Sequence, residues 1–280
     1  MGLKQLISRN LKGPCMEASS SGKIVFLGTG DPEGTPVPFC SCEVCSQRKI
    51  YRLRSSVLVQ SQGKNFIIDT GPDLRSQLLR YEIHRLDGVF LTHPHYDHIG
   101  GLDDLRSWYI THLEQVPIVL SSFTYDYLCK TREHLIQKEN PEHSLTASLR
   151  YIILNEKCGK QELLGLPFTY VSYFQKNCQV TGYRFGNLAY LTDMSCYDEQ
   201  ILDYLQGVDT VVVSASLGVL PKAFGNRSPS HLTLEQIDLL VEKIGASRLV
   251  ITHVSHYLHK VLEEDLTREC AYDGMELLWT

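Results

Sequence analysis

The stretch "FLTHPHYDHIGGL", Phe90 to Leu102, places three histidines and an aspartate within six positions at the end of an apolar run. His93 and His95 stand two apart, so in an extended segment both side chains project to one side and can converge on one ion. Asp97 and His98 follow where the chain turns toward a helix, and they form a second group of ligands close by. Imidazole nitrogens with carboxylate oxygens suit Zn²⁺, Mn²⁺ or iron. Such a centre needs further ligands from elsewhere in the chain.

Around this stretch, short β-rich runs alternate with helical patterns. "KIVFLGTG" (Lys23 to Gly30) reads as a strand entering a glycine turn, and "SSVLVQ" and "NFIIDTG" read as strands paired through the connection "SQGK". "DGVFLTH", "PIVLSS", "RYIIL", "FTYVSYF", "TVVVSAS" and "SRLVITH" are further strand patterns, and "QVTGYRFGNLAYLTD" is a hairpin around Gly186 and Asn187. Helices are expected over "PDLRSQLLRYEI", with Pro72 in its first turn, and over "LRSWYITHL", capped by Asp103 and Asp104. "TYDYLCKTREHLIQ" reads as one helix, and "TLEQIDLLVEKIG" as another ending at its glycine. "EKCGKQELLGL" fits more than one assignment. The mixture runs without a composition break, which predicts one layered α/β domain over residues 22–280. Residues 1–21 read as a flexible leader, with translation starting at Met1 or Met16.

The 280 residues are 43% hydrophobic and 21% charged, an ordinary balance for a globular protein. No apolar run approaches the roughly 20 residues that cross a bilayer. The leader has no secretory core, and Leu6 breaks the myristoylation pattern, so the expectation is a cytoplasmic protein with no membrane partner. A net charge of -5 gives no basic footprint for nucleic acid. Nine cysteines, an odd number, suggest free thiols or metal ligands before disulfides.

"LTHPHYDHIGGL" resembles the His-x-His-x-Asp-His signature of the metallo-β-lactamase fold, a four-layered αββα sandwich of hydrolases that usually hold two metals. "FLGTGDPEGTPVPFCSCEVC", "LTD" at Asp193, "SHLTLEQ" at His231, "ITHVSH" at His253 and "YDGMEL" resemble the phosphodiesterases of the carbon-phosphorus lyase pathway, which open phosphoribosyl cyclic phosphate. The resemblance covers about Gly22 to Leu278. It implies that Asp97, His98 and His253 bind one metal, that His93 and His95 bind the other, and that Asp193 bridges them. It also implies in-line attack on a phosphodiester by a metal-activated hydroxide, with Asp97 at the catalytic ion and His231 assisting the leaving oxygen or contacting the phosphate. The catalytic ions would be Zn²⁺ or Mn²⁺, the substrate a small cyclic phosphate or nucleotide-like ester, and the assembly a homodimer by analogy.

One ligand of that pattern is missing. The family places a third histidine a few residues before a Gly-Tyr pair, where this chain reads "SYFQKNCQVTGY", and none of the 11 histidines falls between His143 and His231. Gln175, Lys176 or Cys178 stands in the matching region. The expectation is one well-occupied ion on Asp97, His98, Asp193 and His253, with the other weak, absent or differently ligated.

"FCSCEVCSQR" supplies Cys40, Cys42 and Cys45, three thiolates spaced for one structural Zn²⁺. By resemblance His256 completes the set, although His259 fits the spacing as well. Such a closed site would clamp an N-terminal loop to the one carrying His253. Cys15, Cys129, Cys158, Cys196 and Cys270 read as ordinary thiols, and the glycines of "GTGDPEG" as turn formers. Two other functions fit the motif: a tRNA 3′-processing endonuclease, disfavoured by the acidic balance, and a non-catalytic relative with an incomplete dinuclear site.

Overall fold

The computed structural model describes residues 21–136, 146–215, 230–265 and 267–280. Residues 1–20 of the expected leader, including Cys15 and Met16, lie outside these ranges, as does His143.

The apolar runs pair into two seven-stranded sheets. The first contains β1 (Gly22–Gly28), β2 (Ser56–Ser61), β3 (Lys64–Ile68), β4 (Gly88–Phe90), β5 (Val116–Ser121) and β6 (Leu149–Leu154). The second contains β7 (Cys158–Leu163), β8 (Leu166–Gln175), β9 (Cys178–Phe185), β10 (Leu188–Leu191), β11 (Thr210–Ser214), β12 (Arg248–Thr252) and β13 (Glu269–Cys270), and the last strand, β14 (Glu276–Trp279), returns to the first sheet beside β1. Gln62 and Gly63 turn the β2–β3 hairpin at φ 51° and 73°, the two positive angles that match the twist of a tight antiparallel pair. β3 to β6 run parallel, as do β10 to β13, and the middle strands are buried on both faces.

Alternate side chains of both sheets meet in a shared core. Phe90 is its hinge point, with the rings of Phe168 at 5.0 Å and Tyr183 at 5.1 Å, both edge-on. Each such pair adds about 0.5–1.5 kcal/mol beyond its area burial. A second apolar cluster joins the outer face of the second sheet to the helix Leu234–Ile244, and a third covers the outer face of the first sheet beneath Leu74 and Leu128. The result is the expected αββα sandwich.

Three local expectations need correction. "TYDYLCKTREHLIQ" forms two helices, Ser122–Thr131 and Glu133–Ile136, because the chain breaks at Arg132 so that Arg132 Nη1 and His134 Nε2 each reach Asp103 at 2.6 Å. Asp103 and Asp104 therefore cap nothing with their side chains; they sit inside a 3-10 turn, Leu102–Leu105, that precedes the helix Arg106–His112. The helix expected from Pro72 begins at Leu74, since Asp73 at its cap position spends its carboxylate on the Arg54 backbone N–H (2.8 Å) and guanidinium (3.0 Å). The undecided segment before Leu164 becomes strand β7, paired with β8.

Candidate metal centre

Asp69 directly follows β3, Asp193 follows β10 by two residues and His253 directly follows β12. All three adopt left-handed backbone angles, φ 62°, 57° and 55°. A non-glycine residue pays about 1–3 kcal/mol for such a conformation. The surroundings hold it in place: Asp193 N–H donates to Ser214 Oγ at 2.6 Å, and Val254 N–H donates to Thr29 O at 2.8 Å. These turns, at the carboxyl ends of strands, gather the side chains at one edge of the sandwich, where open α/β sheets present their ligands.

Among the described residues three donor groups result here, buried except for the half-buried His231, each with its ligand atoms within 4.8 Å of one another: Asp97, His98 and His253; His93, His98 and Asp193; Asp193, His231 and His253. His98 Nε2 lies 3.0 Å from Asp97 Oδ2 and 3.4 Å from Asp193 Oδ2, and His253 Nε2 lies 3.3 Å from Asp97 Oδ2 and 3.5 Å from Asp193 Oδ1. His98 Nδ1 meets Asp69 Oδ2 at 2.6 Å. Its Nε2 is buried yet makes no hydrogen bond, although it faces two carboxylates. A nitrogen lone pair set between two anionic oxygens calls for a cation, so these residues fit a divalent ion. His95 stands apart: it is exposed, and its Nδ1 touches His93 Nε2 at 2.9 Å.

Burial opposes charge on His98, but Asp97, Asp69 and Asp193 outweigh it and raise its pKa well above the ordinary value. For His253 the same opposition, overcome by Asp193 and Asp97, leaves the pKa at about 9. Asp97 and Asp193 are pushed the other way: burial would raise them, yet the facing histidines hold both well below the usual carboxylate range. Burial lowers His93 and His95, and takes His231 down to about 4.

Asp69 carries no role in the motif reading. Besides His98 it accepts from the Thr92 backbone N–H and hydroxyl, each at 2.8 Å, so it fixes the imidazole ring from behind. The signal was present in "FIIDTG", an apolar run ending in aspartate just as "LAYLTD" does. A second missed residue is Asp31 of the glycine-rich loop. It lines the cleft, its Oδ1 has no partner, and burial pushes its pKa up to about 7.

Cys40, Cys42 and Cys45 Sγ converge on His256 Nδ1 at 3.6, 3.3 and 3.2 Å. Three thiols cannot all donate to one ring nitrogen, whereas a cation satisfies all four donors, so this set also fits a metal. The backbone N–H of Cys45 lowers the Cys42 thiol, while burial pushes Cys45 up to about 11. His259 points elsewhere, its Nδ1 3.5 Å from Arg52 Nη2. The cluster and the buried centre share a cleft of about 1320 Å³. Cys40 and His256 line one part of it; His95, His231, His253 and Gln175 line another.

Residues 64–254 match the family model of the β-lactamase superfamily domain. The chain belongs to this superfamily. A diphosphatase of the PhnP family is 33% identical, with a TM-score of 0.77 over 91% of this chain and 97% of that one. Zn²⁺-bound PqqB from Methylobacterium extorquens shares the fold at 19% identity, with a TM-score of 0.70 over 91% of this chain and 99% of its own. The octanoyltransferase of Porphyromonas gingivalis is 30% identical over 265 residues, 91% of this chain but 51% of that protein. The chain thus spans about half the length of that relative. The protein has the metallo-β-lactamase fold, and no described helix is long and apolar enough to cross a membrane.

Proposed function

We propose that the protein is a metal-dependent phosphodiesterase acting on a small cyclic phosphate or nucleotide-like ester. The observation that carries this reading is the orphaned His98 Nε2 between Asp97 and Asp193, with His253 alongside, at one side of an open cleft. Asp97, His98, Asp193 and His253 would hold a catalytic Zn²⁺ or Mn²⁺, with His93 and His95 adjoining. Cys40, Cys42, Cys45 and His256 would hold a structural Zn²⁺. A catalytic ion of this kind lowers the pKa of water toward 7 and offsets charge on a phosphoryl group.

The chain's own groups do the rest. Ser214 Oγ lies 3.0 Å from His231 Nδ1 and accepts from the Asp193 N–H, which fixes the ring with Nε2 on the cleft side. Burial takes its pKa down to about 4 and keeps the ring uncharged at neutral pH, so there it would contact the leaving oxygen or a phosphate oxygen through a hydrogen bond. Asp31, across from His253, offers a second protonatable group to the substrate.

The cleft lining supports a small substrate. Among its described residues Lys176 is the only Lys or Arg, whereas Phe39, Phe123, Tyr127 and Tyr257 are aromatic. A tRNA backbone needs a track of cations, and a nucleotide-sized ester needs one phosphate site and a ring to stack against. The test is hydrolysis of bis(p-nitrophenyl) phosphate and of cyclic nucleotides, abolished by Asp97→Ala. Turnover confined to precursor tRNA would favour the endonuclease, and no turnover by protein with its ions bound would favour a non-catalytic relative.

A further inference from the structure

Gln175 ends β8 and is buried, while its neighbour Lys176 is exposed. Gln175 Nε2 donates to Asp193 Oδ1 at 2.9 Å and lies 3.4 Å from His231 Nε2. A carboxylate only accepts, so the nitrogen of the amide, and not its oxygen, must face Asp193. Asp193 Oδ2 in turn accepts from the Thr192 hydroxyl at 2.6 Å. Cys178, the remaining candidate for the missing ligand, turns its thiol toward Gln179 O at 3.7 Å.

These contacts bear on how many ions the centre takes. Asp97, His98 and His253 form one close donor set, and Asp193 lies 3.4 Å from His98 Nε2 and 3.5 Å from His253 Nε2. An ion on His93 and His95 would need a carboxylate and one donor more. Asp193 Oδ1 is already occupied by an N–H, His95 belongs to none of the close donor groups, and Gln175 turns its amide nitrogen to Asp193 while its buried Oε1 stays without a partner. An electropositive amide group repels a cation where a lone pair would hold it.

We propose that Gln175 makes the catalytic centre mononuclear, its amide nitrogen set against Asp193 and beside His231 in the place where a second ion would be bound. This rests on the reading of Asp97, His98, Asp193 and His253 as an ion site. It does not depend on which ester is cleaved.

The experiment is metal analysis of protein loaded with Mn²⁺ in the presence of structural Zn²⁺ and then freed of excess ions, with electron paramagnetic resonance of the manganese. Two ions per chain are expected in the wild type, one of them lost in Cys42→Ser, with the spectrum of isolated Mn²⁺. Gln175→His should add a third ion and give a spin-coupled manganese pair. Gln175→Glu, closer in size, should do the same should the histidine variant not fold. Three ions or a coupled pair in the wild type would overturn the proposal, and so would folded variants that stay at two. A single ion in the wild type, lost in Cys42→Ser, would overturn both this and the phosphodiesterase reading, whereas two ions without turnover would leave the mononuclear centre standing and remove only the activity.

Discussion

Replacing Asp69 by asparagine tests how the centre is held from behind. Asp69 is fully buried, and its carboxylate collects three donors: the Thr92 N–H on Oδ1, and the Thr92 hydroxyl and His98 Nδ1 on Oδ2. With an ion bound, the single proton of His98 must sit on Nδ1, because a carboxylate only accepts, and this leaves the Nε2 lone pair to the ion. In Asp69→Asn the amide oxygen keeps the Thr92 N–H, so the NH₂ group faces His98 and donates to Nδ1. The ring must then carry its proton on Nε2, aimed at Asp97 Oδ2 3.0 Å away and Asp193 Oδ2 3.4 Å away. A protonated nitrogen cannot bind metal. Loss of such a supporting partner weakens metal affinity by about 10- to 100-fold, or about 1.4–2.8 kcal/mol. The ion-free protein should lose stability as well, since Asp69 is one of the buried carboxylates that hold the His98 ring charged when no ion is bound. Competition with a chromophoric chelator measures the first quantity and urea unfolding after metal removal the second. Affinity within about twofold of wild type, under conditions where His98→Ala abolishes binding, would refute the tautomer argument.

The pH dependence of the ion-free protein follows from His253. Its folded pKa of about 9 lies above the ordinary value of 6.5, so its stabilisation is fully present below about 6.5 and disappears as pH rises through about 9. The amount is about 3 kcal/mol; chelator-treated protein should unfold in less urea at high pH, and His253→Asn should flatten the profile. Gly71→Ala would set a Cβ 2.2 Å from the Asp97 carbonyl oxygen, forcing the ligand loop to shift. A loss of about 1–3 kcal/mol together with weaker metal binding is expected, and a metal titration indistinguishable from wild type would count against it. Thr233 caps the helix Leu234–Ile244 through a reciprocal box with Gln236. Thr233→Ala should cost about 1 kcal/mol in urea unfolding.

Much of the architecture was legible because it depends on local patterning. The alternation in "SSVLVQ" and "NFIIDTG", split by Gln62 and Gly63, admits little besides a hairpin, and buried parallel strands announce themselves as short apolar runs. The break at Arg132 was not legible. It serves Asp103, a partner 29 positions away, and no helical periodicity records that demand. β7 was ambiguous for the same reason, since its exposed polar side chains become a strand only by pairing with β8.

The sequence by itself determined the inventory of the site: His93, His95, Asp97 and His98 in one stretch, Asp193 and His253 at the ends of apolar runs, three cysteines within six positions, and no histidine near Gln175. Spacing along a chain reveals which donors exist. It cannot say which way they face. Only the tertiary structure brought Asp69 behind His98, set His256 rather than His259 against the cysteines, and turned the amide of Gln175 so that its nitrogen meets Asp193. Those outcomes depend on left-handed turns at the strand ends and on contacts between residues up to 216 positions apart, where hydrogen-bond direction settles which atoms remain free to hold an ion.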